Sequence, residues 1–145
     1  MRHNVIVGKK AGQLMNDRYW FRGMRVDNKE WVYGSVSYFD EEPFITGEIV
    51  DWDDEYIAHA WWWKVNPETI GQCTGLTATK SYRGDGPEDR LVFEGDIIKT
   101  CHKNDVIVWD SITMRWYTHN SGPLSEFNDI EIIGNRWDHK ELLEG

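Results

Sequence analysis

Short apolar runs separated by turn-forming residues characterise the chain from residue 19 onward. Residues 19–26 and 31–39 are rich in aromatic and β-branched side chains, and the Asp-Asn-Lys-Glu sequence between them is typical of a turn. This pattern predicts a hairpin. Two further strands are predicted at 44–50 and 61–65, and the second ends before Pro67 because proline has no N–H to donate to a sheet.

Two connecting segments carry their own local signals. Residues 51–55, with the sequence DWDDE, predict either an acidic loop or the first turn of a helix, where the helix dipole favours carboxylates. Residues 67–69 predict a turn that presents Ile70 to the core. Residues 77–90 are polar, contain Gly84, Gly86 and Pro87, and predict a surface loop.

The C-terminal part shows the clearest alternation of apolar and polar positions. The third strand there is predicted to follow a two-residue connection, Asp110-Ser111, and to place alternate residues from Ile112 to Thr118 on one face. Residues 137–143 predict at most one or two helical turns. The strands predicted for this part are residues 91–93, 97–101, 106–109, 112–118 and 130–135.

These elements predict a mainly β chain. Short strands at close spacing, joined by tight turns and with almost no helical period, favour small antiparallel barrel units with little helix. The expected organisation comprises a flexible N-terminal tail at 1–17, an N-terminal β unit at 18–76, a boundary loop at 77–90 and a C-terminal barrel at 91–145.

The net charge of −9 is unevenly distributed along the chain. Residues 1–25 hold six basic residues against one aspartate, whereas residues 40–55 hold eight carboxylates and no lysine or arginine. Nucleic-acid affinity comes largely from basic side chains that displace counterions. Nucleic acid is therefore not the expected partner. The lower-ranked alternative is direct nucleic-acid binding through the basic segment 1–25 together with the loop from Lys80 to Arg90.

The expected compartment is the cytoplasm, because the apolar triplet at residues 5–7 is too short for a secretory signal. No apolar run approaches the roughly 20 residues that a membrane helix needs. Both cysteines, Cys73 and Cys101, are expected to be reduced, since two cysteines do not make the disulfide framework typical of small secreted domains.

No catalytic, cofactor or metal site is predicted. The carboxylates of Glu94 and Asp96 belong to a Glu-Gly-Asp sequence that predicts a tight bend, in which Gly95 supplies the permissive backbone and Asp96 bonds the chain just ahead of it. No Cys-x-x-Cys pair anchors a zinc site, and residues 51–55 lack the spacing of a calcium loop. The acidic segment is interpreted as a solvated face.

Nine tryptophans are the unusual feature of the composition. On a strand, Trp61 and Trp63 point to one face and Trp62 to the other, so one large aromatic is exposed unless both faces are covered. Exposed aromatics mark interfaces and ligand platforms. The candidate interaction surface therefore comprises Trp61, Trp62, Trp63, Asp51, Asp53, Asp54 and Glu55.

Four blocks of the sequence resemble the YopX family of phage and prophage proteins, in the same order along the chain. They are residues 21–34 (FRGMRVDNKEWVYG), 65–76 (VNPETIGQCTGL), 93–98 (FEGDII) and 130–135 (IEIIGN). The chain departs from the family where residues 77–90 replace a shorter turn. The resemblance implies a mainly β fold with an SH3-type barrel in the C-terminal part and a phage or prophage origin, and it implies no activity.

The expected function is that of a non-catalytic protein-interaction or self-assembling module, in the cytoplasm of a bacterial host. Its partner would be a second copy of the chain or a host protein. Two alternatives are an acidic decoy that imitates DNA phosphates and occupies a basic host protein, and a carbohydrate-binding module that uses tryptophan rings as platforms.

Overall fold

A computed structural model describes residues 19–144, so the predicted tail at 1–17 lies outside the described residues. The described part is mainly β, and its helical segments are 3-10 turns of three or four residues. The predicted fold class is therefore confirmed. The strands are β1 (Phe21–Met24), β2 (Trp31–Phe39), β3 (Glu42–Thr46), β4 (Ile49–Trp52), β5 (Ile57–His59), β6 (Trp62–Lys64), β7 (Gly71–Thr77), β8 (Lys80–Ser81), β9 (Leu91–Phe93), β10 (Asp96–Lys99), β11 (Asn104–Asp110), β12 (Arg115–Thr118), β13 (Gly122–Pro123) and β14 (Glu131–Asn135).

The described residues form two compact units, which divide between Gln72 and Cys73. The division falls four residues before the predicted end of the first unit at residue 76. Residues 77–90, predicted as a boundary between the units, belong to the second one.

In the first unit the described strands form an antiparallel sheet in the order β6-β3-β2-β1, and β1 also pairs with the first residues of β7. The predicted hairpin is the β1–β2 pair. Ile45 and Val65 are fully buried in this unit. Arg25, which follows β1, and Val65, which follows β6, form an antiparallel bridge, so the ends of these two strands lie side by side. The unit is therefore barrel-like, although no ring of strands closes within residues 19–144.

The predicted turn at Pro67–Thr69 is a 3-10 turn, capped by Asn66, whose side chain accepts from the Glu68 N–H. It presents Thr69 to the interior, whereas Ile70 is only partly buried, so the prediction for Ile70 was wrong in this respect. Thr69 is held inside because its Oγ1 accepts from the Met24 N–H at 2.8 Å and donates to the Asn66 carbonyl at 2.6 Å.

In the second unit a six-stranded sheet has the order β13-β12-β11-β10-β14-β8. Its strand pairs are antiparallel except for β14 with β8, which is parallel. The described strand order is open, with β13 and β8 at its ends, so the predicted barrel closure is not found there. The buried core comprises Ala78, Val92, Ile98, Ile107, Leu124, Ile130 and Ile132.

The prediction of a surface loop at 77–90 was wrong for its first half. Ala78 is buried in the core of the second unit, and Lys80–Ser81 is the strand that pairs with β14. Arg83 then turns inward and its Nη1 lies 3.0 Å from the Asp96 Oδ1. The segment is therefore a structural part of this unit.

The Glu94-Gly95-Asp96 bend has the predicted structure. Gly95 adopts a φ of 91°, which side-chain-bearing residues rarely tolerate. Asp96 is fully buried, and its Oδ2 accepts from the Phe93 N–H at 2.8 Å. The carboxylate thus closes the bend from inside.

The connection between β11 and β12 differs from the predicted Asp110-Ser111 pair. It spans four residues, 111–114, and the strand begins only at Arg115. The Asp110 carboxylate accepts from the Ile112 N–H at 3.1 Å and from the Thr113 hydroxyl at 2.7 Å, while Met114 has a φ of 58°. Ile112 and Met114 are consequently exposed loop residues and do not share the face of Trp116.

Candidate functional site

A two-stranded ribbon projects from the sheet of the first unit. It continues β3 and β6, because the Gly47 N–H donates to the Trp61 carbonyl at 2.9 Å and the Ala60 N–H donates to the Glu48 carbonyl at 2.8 Å. Beyond this point β4 pairs with β5. We call residues 47–61 the arm. Within the described residues, β4 and β5 pair with each other and with no third strand.

Of the residues predicted as a loop or a helical turn, Asp53, Asp54 and Glu55 form the tip of the arm, whereas Asp51 and Trp52 belong to β4, so the prediction was wrong for these two. The Asp53 Oδ1 accepts from the N–H groups of Glu55 at 2.7 Å and Tyr56 at 3.1 Å. The Tyr56 hydroxyl donates to the Asp51 carboxylate at 2.5 Å. This hydrogen bond raises the pKa of Tyr56, because loss of the phenolic proton would leave two negative groups in contact. The tip is therefore ordered by its own side chains.

Cross-strand register gives the arm two different faces. Trp52 lies opposite Ile57, and Ile49 lies opposite His59. Side chains directly opposite each other share a face, and the face changes at each successive residue of a strand. One face thus holds the half-buried His59 and three apolar side chains, Ile49, Trp52 and Ile57, whose exposed fractions are 49%, 67% and 60%. We call these three residues the apolar face.

The opposite face carries polar contacts. Asp51 lies opposite Ala58 there, and Asp51 meets the hydroxyl of Tyr56. Asp54 and Glu55 are exposed at the tip. The arm is consequently amphipathic, with an apolar face bordered by carboxylates.

The three consecutive tryptophans lie at the base of the arm, where Trp62 and Trp63 occupy opposite faces of β6 and Trp61 immediately precedes it. Trp63 is opposite the buried Ile45, while Trp62 is opposite Thr46 on the other face and is 61% exposed. The Trp61 ring covers Gly47, where an added Cβ would lie 2.5 Å from ring atoms. A cross-strand aromatic ring over glycine is a known way to stabilise such a position.

Trp63 is partly covered by a cation. The Arg25 guanidinium carbon lies 3.5 Å from the centre of the Trp63 ring. Arg25 is oriented by Asp27, which accepts from its Nε at 2.9 Å and from its Nη2 at 2.6 Å. The hydrogen bond from Arg25 lowers the pKa of Asp27. Of the three tryptophans, Trp62 is therefore the one that remains most available for contact.

The structure places Asp53, Asp54 and Glu55 at the tip, Asp51 in β4, and the predicted tryptophans together at the base. Sequence reasoning missed the apolar face, which lies between them. Part of a signal was present, because Trp52 stands between Asp51 and Asp53, as alternation on a strand requires. A bulge at Val50 interrupts this alternation between Ile49 and Asp51, and the surrounding carboxylates favoured the prediction of a loop or a helical turn.

A second exposed apolar feature lies in the second unit, at the connection between β11 and β12. Ile112 is 89% exposed there, and Met114 lies close to it in the chain. The adjoining strands carry Trp109 and Trp116, which pair edge to face with their ring centres 5.0 Å apart. Residues 111–114 of this connection hold no carboxylate, and Asp110 beside them is engaged by the loop itself.

Three further observations concern metal ligands, cysteines and membrane-spanning helices. Residues 19–144 contain no group of three His, Cys, Asp or Glu side chains placed to hold a metal ion. Neither Cys73, which is buried, nor Cys101, which is exposed, forms a disulfide. In the same described range, no helix has the length and apolar character needed to cross a membrane.

Comparison of the chain with protein-family models, curated proteins and solved structures finds no match. Membership of the YopX family therefore stays a prediction from the four sequence blocks.

Proposed function

We propose that this chain is a non-catalytic protein-interaction module and that the arm is its contact surface. The observation that carries the proposal is the apolar face, three large side chains that are each about half exposed or more on a hairpin ordered by its own hydrogen bonds. Large exposed apolar side chains beside polar ones are typical of protein contact sites. An ordered hairpin also loses little conformational entropy on binding.

The proposed setting is the cytoplasm of a bacterial cell that carries a phage or prophage. This part of the proposal is supported by the four sequence blocks that resemble the YopX family. The proposed partner is a second copy of the chain or a host protein.

The test combines light scattering of the purified chain over a wide concentration range with pull-down from a bacterial lysate. We expect self-association or a captured protein that is lost in Trp52→Ser/Ile57→Ser. Phe39→Ser is the matched control, because Phe39 is 74% exposed in the same unit but lies outside the arm. A strict monomer that captures nothing, or capture that is unaffected by the double substitution, would refute the proposal.

An acidic decoy that imitates DNA is a second candidate, favoured by the eight carboxylates of residues 40–55. Two of the candidate carboxylates, Asp51 and Asp53, are engaged within the hairpin, and the apolar face lies among them. A decoy would displace DNA from a basic host protein, and the displacement would fade as salt increases. Displacement that Trp52→Ser leaves intact would favour the decoy over the contact module.

A carbohydrate-binding module is a third candidate, favoured by the exposed rings of Trp52 and Trp62. A glycan array tests it directly. Silence of the array would remove this candidate.

A further inference from the structure

We infer that the arm binds a basic amphipathic segment of another protein, with apolar side chains on the apolar face and lysine or arginine side chains on the carboxylates of the tip. The inference rests on the proposed function, since it names the chemistry of the partner at the same surface. Two observations support it. Carboxylates border the apolar face, and a bulge at the edge of β4 disfavours the addition of a further strand there.

The charge around the apolar face is of one sign. No lysine or arginine occurs from residue 30 to residue 63, and this range includes the whole arm. Asp54 and Glu55 stand exposed beside the cross-strand pair of Trp52 and Ile57. A partner that covers the apolar face therefore brings its own rim against these carboxylates, and complementary charge there favours a basic partner.

The same charge disfavours a second copy of the arm as the occupant. Two arms packed through their apolar faces would bring two acidic tips close together. Like charges juxtaposed across an interface cost free energy and suppress that pairing. A basic segment meets the opposite condition, because it neutralises Asp54 and Glu55 while its apolar side chains cover the ring of Trp52.

Binding through the face is favoured over addition of a strand to the edge of β4. The register of β4 shifts between Ile49 and Asp51, which marks a bulge at Val50. The Trp52 N–H is already bonded to the Asp51 Oδ1 at 2.9 Å. Bulges and inward charges are features by which proteins block pairing at sheet edges. The apolar side chains, and not the backbone of β4, are thus the groups available to a partner.

Three synthetic peptides of equal length serve as probes, each titrated into the full chain by calorimetry. One alternates lysine with leucine on an amphipathic pattern, one replaces leucine with serine, and one replaces lysine with glutamate. We expect the lysine-leucine peptide to bind, the lysine-serine peptide to bind at least tenfold more weakly, and the glutamate-leucine peptide not to bind.

Variants of the chain assign the two contributions. Trp52→Ser should lower the affinity for the lysine-leucine peptide by about tenfold or more, as expected for a central aromatic contact. Asp54→Asn/Glu55→Gln should lower the affinity for this peptide several-fold at low salt and make the affinity less dependent on salt. Both effects are expected because salt screens the attraction between exposed charges. These substitutions spare the hydrogen bonds of Asp51 and Asp53. Glu141→Gln/Glu144→Gln, which removes two exposed charges from the second unit, should change neither quantity.

Equal binding of the lysine-leucine and lysine-serine peptides, or binding that Glu141→Gln/Glu144→Gln weakens as much as Asp54→Asn/Glu55→Gln, would overturn the inference in favour of general attraction to an acidic protein. A dimer that Trp52→Ser converts to monomer, with no peptide bound, would identify a second copy as the occupant and also overturn it. In that case the proposed function would stand. If no peptide binds, and if the arm variants change neither self-association nor capture of a protein, the proposed function is refuted as well.

Discussion

Arg83 and Asp96 form a buried ion pair, with the Arg83 Nη1 3.0 Å from the Asp96 Oδ1 and the Asp96 side chain fully buried. The Arg83 guanidinium also donates to the carbonyls of Asp89 and Leu91, at 3.2 Å and 2.5 Å. One side chain thus ties the segment after β8 to the bend before β10.

Removal of the cation is expected to be costly, because Asp96 would remain buried without its charged partner. Arg83→Met should lower the free energy of unfolding by about 3 kcal/mol or more. Urea denaturation measures the change, with Lys99→Met as the control, since Lys99 is exposed in β10. Equal stability of the two variants would contradict this account of the pair.

The Arg25 guanidinium is expected to stabilise the first unit through the ring of Trp63. Arg25→Ala should lower the free energy of unfolding by about 1 kcal/mol, in the range of cation–π contacts at partly exposed sites. It should also shift the fluorine resonance of Trp63 in protein labelled with 5-fluorotryptophan. Lys64→Ala, a neighbouring exposed cation that pairs with Glu42, provides the comparison, and a shift of the same size there would argue against a specific stack.

Gly47 is expected to accept no side chain without movement of Trp61. The Cβ of Gly47→Ala would lie 2.5 Å from the Trp61 ring, so the ring must leave its place over residue 47. We expect a large change in the fluorine resonance of Trp61 and a loss of roughly 1–3 kcal/mol, the usual range for overpacking. Gly86→Ala is the control, because its added Cβ meets only the ends of acidic side chains at 3.3 Å or more. An unmoved Trp61 resonance in Gly47→Ala would disprove the packing described for the base of the arm.

Asp110 is expected to make the β11–β12 hairpin sensitive to acid. Two hydrogen bonds lower the pKa of Asp110 below its ordinary value of 3.8. The bond from the Thr113 hydroxyl has the larger effect, and the bond from the Ile112 N–H the next largest. A carboxylate whose pKa is lowered in the folded state contributes stability above its unfolded pKa and loses it as the pH falls through the folded pKa.

Asp110→Asn should therefore be less stable than the unmodified chain at neutral pH, and the difference should shrink below about pH 4. Thr113→Val should raise the pKa of Asp110 toward 3.8 in a carboxyl-detected NMR titration, because it removes the largest cause of the shift. Asp85→Asn, at another exposed site of the second unit, is the control. A difference that is constant with pH would exclude the charged form of Asp110 as the source of stability.

The features that the sequence predicted correctly depend on local chemistry. The Glu-Gly-Asp bend follows from the backbone of Gly95 and the short side chain of Asp96, and both act within a few residues. The opposite orientation of Trp62 and Trp63 follows from strand geometry alone. Such features need no knowledge of the rest of the chain.

The errors occur where a distant or competing interaction decides the structure. Ile112 and Met114 alternate as strand residues do, yet the Asp110 side chain supplies hydrogen bonds that stabilise a loop instead. Lys80–Ser81 is a strand only because β14, whose paired residues lie 51 positions later, offers a partner. The apolar face of the arm was missed because its alternation is interrupted by a bulge and surrounded by carboxylates.

The arm and the sheet of the first unit share their strands, since the ladder from Ile45 and Trp63 continues through Gly47 and Trp61 to Trp52 and Ile57. Amides near the tip should therefore exchange their hydrogens fastest, and protection should rise step by step toward the buried Ile45. Occupation of the apolar face would slow exchange at the tip first and then along the ladder. Hydrogen exchange along the arm thus measures partner binding, because a more tightly bound tip protects amides farther along the ladder toward Ile45.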